Sequence, residues 1–274
     1  MARFKSWRSF SDFEREVRRA LRYVRTTEQE KFLRTVLETS QHRQVQLKAG
    51  HIFYRAQIGF EWREVDQDGD TFEVQCALSP TRMKPLPDRA SEGRANAKGI
   101  PCLYLATAEK TAILEVRPWI GSYVSVGQFK LMEDCTLIDC SRNHDGFPFF
   151  FEEPKPLDRE KAVWSQIDRA FAEPTSRQDD IADYAPTQII AELFKRNGFD
   201  GVAYKSNFGE KGYNVALFDL DAADILNCIL HKIDKVDVEY NQVDGPYFIS
   251  KHYPSLQKSL DETAAVDEPA NEET

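Results

Sequence analysis

Short strand-like and helix-like segments follow one another irregularly along the middle of this chain, and this feature most narrows the folds open to it. Apolar or alternating runs predict strands at 51–57, 71–78, 102–106, 123–129, 136–139, 199–204 and 214–218. Helices are predicted at 158–172 and 186–196, and between Thr107 and Pro118. Because the order is not a regular βαβ alternation, the sequence favours an α+β fold with a split or mainly antiparallel sheet and flanking helices.

The first 45 residues predict a helical N-terminal extension. Ser11 with Glu14, and Thr27 with Glu30, each match a capping box at the start of a helix. Behind them runs an apolar stripe, which we expect to pack on the rest of the chain, with a second copy or a partner protein as the alternative: Phe13, Val17, Leu21, Val24, Phe32, Leu33 and Leu37. The polar segment at 40–50 places a boundary near residue 45. The main domain then covers 46–254, and the acidic, aperiodic tail at 255–274 is predicted to be disordered.

Charge and composition exclude several classes of protein. The 274 residues carry a formal net charge of −9, which argues against direct nucleic-acid binding, since that affinity depends on neutralising phosphates. No apolar run approaches the roughly 20 residues of a membrane-spanning helix, and the N-terminus has no secretory apolar segment. The five Cys and five His form neither a C-x-x-C nor an H-x-x-x-H pair, so we expect no metal site, no disulfide scaffold and a reducing, cytoplasmic setting.

The common nucleotide and hydrolase motifs are missing from the sequence. There is no G-x-G-x-x-G, no G-x-x-x-x-G-K-[ST] and no G-x-S-x-G. Residues suited to chemistry concentrate instead in three other stretches, around Arg55, between Gly93 and Pro118, and around Ser206. Each also has an ordinary structural explanation.

Arg55 stands on a predicted strand and is suited to binding phosphate or carboxylate, although an arginine extending to solvent has the same pattern. Glu115 lies in the last turn of a predicted helix among apolar neighbours, where the helix dipole and desolvation both disfavour its charge. That placement makes sense if Glu115 performs chemistry, and a surface arrangement with Arg117 is the alternative. Ser206 precedes a Gly-rich connection at 207–212, which an ordinary hairpin would also explain.

Taken together, these stretches resemble the RES-domain family, which is named for an Arg, a Glu and a Ser. The resemblance spans about 50–220 and keeps its motifs in order. They are the pair Tyr54-Arg55, G-R-x-N-x-x-G-x-P-x-L-Y-L-A at 93–106, T-A-x-x-E-V-R-P at 111–118, P-T-Q at 186–188, G-F-D-G-V-x-Y-x-S at 198–206 and N-V-x-L-F at 214–218. The head and the tail lie outside it.

The resemblance implies an ADP-ribosyltransferase-like fold that acts on NAD as a substrate. Members of the family are mostly bacterial toxins, often paired with an antitoxin, that hydrolyse or phosphorolyse NAD or transfer ADP-ribose to a protein. The resemblance carries the catalytic roles to Arg55, Glu115 and Ser206. It carries NAD-binding roles to Tyr54, Arg94 and Tyr104. We add Asn214 to the NAD-binding residues, because its amide offers a neutral hydrogen bond for orientation.

These residue types suit the chemistry. Cleavage of the nicotinamide–ribose bond passes through an oxocarbenium-like state that a carboxylate such as Glu115 stabilises. Arg55 and Arg94 can hold the pyrophosphate, and the rings of Tyr54 or Tyr104 can hold a base. Neither a metal nor a further cofactor is required. A non-catalytic interaction protein with the same fold remains the second hypothesis. The candidate protein partners are an antitoxin or immunity protein and a second copy of this chain.

Overall fold

The computed structural model describes residues 3–67, 69–87, 89–142, 150–173, 181–208 and 212–242. Its helices are α1 Ser9–Arg19, α2 Thr27–Ser40, α3 Pro80–Met83, α4 Glu109–Glu115, α5 Pro156–Ala172 and α6 Ala185–Arg196. Its strands are β1 Gln44–Leu47, β2 Ile52–Ile58, β3 Glu61–Gln67, β4 Asp70–Cys76, β5 Leu103–Ala106, β6 Tyr123–Leu131, β7 Cys135–Asp139, β8 Gly201–Lys205, β9 Tyr213–Leu217 and β10 Ala223–Lys232.

Eight strands form one sheet in the order β1-β7-β8-β9-β5-β2-β6-β10, and β3 and β4 form a separate hairpin. Neighbouring strands of the large sheet are antiparallel, except that β7 and β8 are parallel. β2 and β5 share a single residue pair, Tyr54 with Ala106, so the sheet is almost divided at this junction. The predicted α+β class, with a split, mainly antiparallel sheet and flanking helices, is confirmed.

Two of the three hydrophobic clusters among the described residues occupy the two faces of the sheet. Val202 and Ala216 belong to one cluster, whereas their chain neighbours Ala203 and Val215 belong to the other, as the alternation of side chains along a strand requires. The helices α5 and α6 close the first cluster around the fully buried Trp164. Burial of this much apolar surface is the main stabilising contribution to the fold.

The N-terminal helices belong to the first cluster. Phe13 and Val17 of α1 and Phe32 of α2 are buried there together with Trp164. The Trp164 indole N–H donates to the Thr39 hydroxyl of α2 at 3.0 Å, and α1 contacts both α5 and α6. The head therefore packs on its own chain, and residues 1–236 form one compact unit. The boundary expected near residue 45 falls inside β1, which pairs with β7.

The ends of the N-terminal helices differ from the predicted ones. α1 begins at Ser9, so Ser11 does not cap it. Thr26, not Thr27, caps α2, in a capping box with Gln29. α1 ends at Arg19, so the last two residues of its predicted apolar stripe lie beyond the helix and are exposed. The exposed fraction is 47% for Leu21 and 72% for Val24.

Some elements in the middle and C-terminal parts were not predicted. β10 carries a register shift between Ile225 and Asn227, and such a bulge interrupts the alternation that identifies a strand. β3 pairs in the two-stranded sheet with β4 and keeps no buried face, so its sequence has no apolar alternation. Thr107 does not cap α4, because its hydroxyl instead bonds the backbone N–H and C=O of Tyr213.

The predicted tail at 255–274 lies outside the described residues. None of the helices that the structure describes has the length and apolar character needed to cross a membrane.

Candidate active site

A row of paired residues crosses the sheet at its nearly divided junction. Tyr54 of β2 pairs with Ala106 of β5, Ala106 pairs with Asn214 of β9, and Asn214 pairs with Tyr204 of β8. These four residues line a cavity of ≈ 560 Å³, together with Arg55, Ala56, Gln57, Ile58, Tyr104, Leu105, Ala112, Glu115 and Val116. The volume is within the range of small-molecule sites, on the order of 300–1,000 Å³.

Glu115 enters the cavity wall as the last residue of α4, a helix that packs on β2 and β5. The Ser206 hydroxyl donates to Glu115 Oε1 at 2.7 Å, and the Asn214 amide donates to the same oxygen at 2.5 Å. Three residues that are far apart in sequence therefore meet at one carboxylate oxygen. Among the described residues, no hydrogen bond goes to Oε2, which leaves that oxygen available to a ligand.

The burial of this group differs from the expectation. Ser206 and Asn214 are buried, but Glu115 itself is exposed. The burial expected from its apolar neighbours in sequence is not found, because α4 ends at Glu115. The alternative from the sequence, a contact of Glu115 with Arg117, is not among the contacts of the described residues. Glu115 is oriented by two neutral donors, not by a cation.

Arg55 is a half-buried cation on the cavity wall. One terminal nitrogen donates to the Tyr104 carbonyl at 3.0 Å, and the buried Nε has no hydrogen-bond partner among the described residues. Burial lowers the pKa of Arg55, but a guanidinium stays protonated in proteins. No carboxylate of the described residues forms an ion pair with it. A half-buried cation with no counter-ion among the described residues is suited to receive an anion.

Arg94 is not among the residues that line the cavity. It donates to the Ala170 carbonyl of α5 at 2.6 Å, and its guanidinium lies 5.5 Å from the centroid of the Tyr184 ring. The structure therefore places Arg94 in a contact between the 93–100 loop and the helices, and its pyrophosphate role stays a prediction.

Tyr104 lines the cavity, and its hydroxyl holds the same loop in place. The hydroxyl donates to Asn96 Oδ1 at 2.6 Å and accepts from the Ala95 N–H at 2.9 Å. A Cβ at Gly93 would lie 2.5 Å from this hydroxyl, so the close approach requires glycine there. Burial raises the pKa of Tyr104 well above its usual range, so the phenol is neutral. The Tyr104 ring, not its hydroxyl, is therefore what a ligand would meet.

Tyr204 is a cavity residue that the sequence analysis did not assign. It is 6% exposed, and nothing among the described residues hydrogen-bonds its hydroxyl. Burial, with the nearby charge of Glu115, raises its pKa, so it is a neutral donor. Its position two residues before Ser206 was the available signal, because β-strand alternation directs both side chains to one face. No cluster of His, Cys, Asp or Glu within the described ranges could hold a metal ion.

Comparisons with known proteins identify similar sequences and structures. A family model described as "RES domain" matches residues 70–241. The comparison with curated proteins gives no significant match. Among solved structures, a chain from the crystal structure of the M. tuberculosis MbcT–MbcA toxin–antitoxin complex is 15% identical, with a TM-score of 0.41; the match covers 72% of this chain and 92% of that one.

Proposed function

The chain belongs to the RES-domain family, and on that premise we propose that it consumes NAD by cleaving the nicotinamide–ribose bond. One observation supports this most strongly. The cavity wall carries an anion, Glu115, and a cation, Arg55, and neither has an ion-pair partner among the described residues. An NAD molecule at the transition state carries the complementary pair, a positive ribose ring and a negative pyrophosphate.

In the proposed mechanism, Glu115 faces the ribose that bonds to nicotinamide. As that bond breaks, positive charge develops on the anomeric carbon and ring oxygen, and a nearby carboxylate stabilises it. Ser206 and Asn214 hold Oε1, so the position of the carboxylate is fixed before the substrate arrives. Such preorganisation avoids reorganisation during the reaction.

The remaining groups bind the substrate. We assign Arg55 to the pyrophosphate, because its Nε is an unused buried donor on the cavity wall. The rings of Tyr54 and Tyr104 offer surfaces on which a base can stack. The hydroxyl of Tyr204 offers a further neutral hydrogen bond.

The acceptor in this proposal is water or phosphate, since the exposed Glu115 leaves its side of the cavity open to small molecules. Transfer of ADP-ribose to a protein is the alternative outcome. We further propose that the activity is toxic in the cytoplasm and that a partner antitoxin or immunity protein restrains it, as the family resemblance implies. Expression of the chain should then lower cellular NAD and arrest growth, whereas expression of the Glu115→Gln variant should not.

The test is product analysis by mass spectrometry after incubating the purified full chain with NAD, with and without phosphate. We expect nicotinamide in both reactions. The second product should be ADP-ribose if water is the acceptor. It should be the phosphate ester of ADP-ribose if phosphate is the acceptor. Nicotinamide with a mass increase on an added protein would favour protein ADP-ribosylation. Unchanged NAD in every reaction would overturn the proposal and favour a non-catalytic interaction protein.

A further inference from the structure

We propose that Arg117 is a positioning residue: it clamps residues 206–208 onto the end of α4 and so holds Ser206 against Glu115. The kinetic part of this inference rests on the proposed function. The structural part, a clamp between two segments, does not. The inference comes from an unusual backbone conformation next to the candidate catalytic residue.

Arg117 is the one non-glycine residue with a positive φ among the residues that the structure describes, at 48°. Its N–H donates to the Leu114 carbonyl at 3.0 Å, so it ends α4 in the left-handed conformation that usually belongs to glycine. A residue with a Cβ is strained there. Strain of this kind is kept where the side chain or backbone is needed, so the arginine side chain calls for an explanation.

The contact that the Arg117 side chain makes with Phe208 explains why an arginine stands here. Its guanidinium lies 5.4 Å from the centroid of the Phe208 ring, which is the geometry of a cation–π pair. The Phe208 N–H in turn donates to the Ser206 Oγ at 3.1 Å. The single Ser206 hydroxyl proton is then directed to Glu115 Oε1 at 2.7 Å, which is closer than the Phe208 carbonyl at 3.2 Å.

These contacts form a closed loop of four residues. Glu115 and Arg117 lie two residues apart at the end of α4, and Ser206 and Phe208 lie two residues apart after β8. A hydrogen bond joins Ser206 to Glu115, and a cation–π pair joins Phe208 to Arg117. Arg117 is not among the cavity-lining residues, and its contact with Phe208 is the link to the site on which the proposal rests.

The first test is steady-state kinetics of NAD cleavage by the full chain. Arg117→Ala and Phe208→Leu should each lower kcat by about 10- to 100-fold with little change in KM, because they displace a group that acts in the transition state. The double variant should be no slower than the slower single variant, since both changes break the same Arg117–Phe208 contact. Arg117→Lys, which keeps a cation, should recover part of the rate.

The Arg117→Gly variant separates the effect of the side chain from the effect of the backbone conformation. It relieves the strain at φ 48°, so its Tm should be at least that of the wild type, yet its kcat should fall as in Arg117→Ala. Arg8→Ala is the matched control: Arg8 is an exposed arginine 5.0 Å from the centroid of the Trp7 ring, outside the cavity, and its loss should leave turnover unchanged. A KM increase with unchanged kcat in Arg117→Ala would overturn the proposal in favour of direct substrate binding.

The second test does not depend on activity. Hydrogen exchange of the Ser206 and Phe208 amides should become faster in Arg117→Ala and Phe208→Leu, and should stay unchanged in Arg8→Ala. Unchanged exchange in Arg117→Ala would overturn the clamp even if NAD turnover falls. If the wild type does not cleave NAD but exchange responds as expected, the proposed function fails and the clamp stands.

Discussion

Arg55 and Arg94 carry the same charge, but the structure holds them in different ways. Arg55 has an unpartnered buried nitrogen on the cavity wall, whereas Arg94 is engaged with the Ala170 carbonyl outside the cavity lining. Arg55 also donates to the Tyr104 carbonyl, but its Nε is a buried donor that no described residue uses, and that donor is available to a ligand. A charge that is bonded to a helix carbonyl contributes to the fold.

This difference predicts opposite effects of two alanine substitutions. Arg55→Ala should raise the KM for NAD by about 10- to 100-fold with a smaller effect on kcat, because it removes the proposed pyrophosphate contacts, which would be equal in ground and transition states. Arg94→Ala should leave KM near the wild-type value and lower the free energy of unfolding by about 1.5–3 kcal/mol through the lost Ala170 contact. Kinetics and denaturant unfolding of both variants provide the measurement. A KM increase in Arg94→Ala without loss of stability would instead support a pyrophosphate-binding role for Arg94.

Much of this site could be predicted residue by residue, and the exceptions have a physical reason. The motifs identified Tyr54, Arg55, Tyr104, Glu115 and Asn214, all of which line the cavity. They did not reveal that Glu115 would be exposed or that Arg94 would turn toward α5, because the direction of a side chain depends on tertiary neighbours. The roles of these residues stay predictions until the variants are measured.

At the scale of elements, α4 and the connection from β8 to β9 form one unit. Ser206 bonds Glu115 at one end of α4, and Gly212 approaches Thr111 nearer its start. A Cβ at Gly212 would lie 2.2 Å from the Thr111 hydroxyl oxygen and 2.7 Å from its methyl group. The glycine therefore lets the connection lie close to the helix that carries Glu115.

Gly212→Ala should disturb that approach. We expect a loss of about 1–3 kcal/mol in stability from overpacking, and a lower kcat because Ser206, whose N–H bonds the Gly212 carbonyl, moves with the connection. Adding Thr111→Ala removes both crowded atoms and should restore most of the lost stability and rate. Thermal unfolding and NAD turnover of the single and double variants are the measurements. No recovery in the double variant would contradict the steric explanation.

The predictability of the elements follows the strength of their local pattern. α5, α6, β8 and β9 were predicted within one or two residues, because each has a regular apolar period and a Gly or Pro signal beside it. β10 and β3 were missed for lack of such a period. The capping box of α2 was displaced by one residue, since Thr26 and Thr27 are equally good candidates in sequence.

For the whole molecule, the N-terminal helices are part of the core that supports the sheet. Phe32 is 8% exposed, and its ring stacks on Phe13 with centroids 4.6 Å apart. Both rings share a cluster with Trp164 of α5 and with Val202 of β8. The head therefore contributes to the folded state that positions the cavity.

Phe32→Ala should accordingly lower the free energy of unfolding by about 3–5 kcal/mol, as the loss of a buried aromatic side chain does. Tyr23→Ala is the matched control: Tyr23 lies in the same head but is 90% exposed, and its loss should change stability by less than about 0.5 kcal/mol. Denaturant unfolding measures both. Equal stability of the two variants would contradict packing of the head on its own chain.

The most direct test of the central claim is the rate of nicotinamide release from saturating NAD by the wild type, Glu115→Gln and Glu109→Gln. Glu109 begins the same helix and carries the same charge, but it does not line the cavity. We predict steady release by the wild type and Glu109→Gln, and a rate about 10²- to 10⁴-fold lower for a folded Glu115→Gln. Equal release by all three proteins, or release by none, would contradict the claim that this cavity cleaves NAD with Glu115.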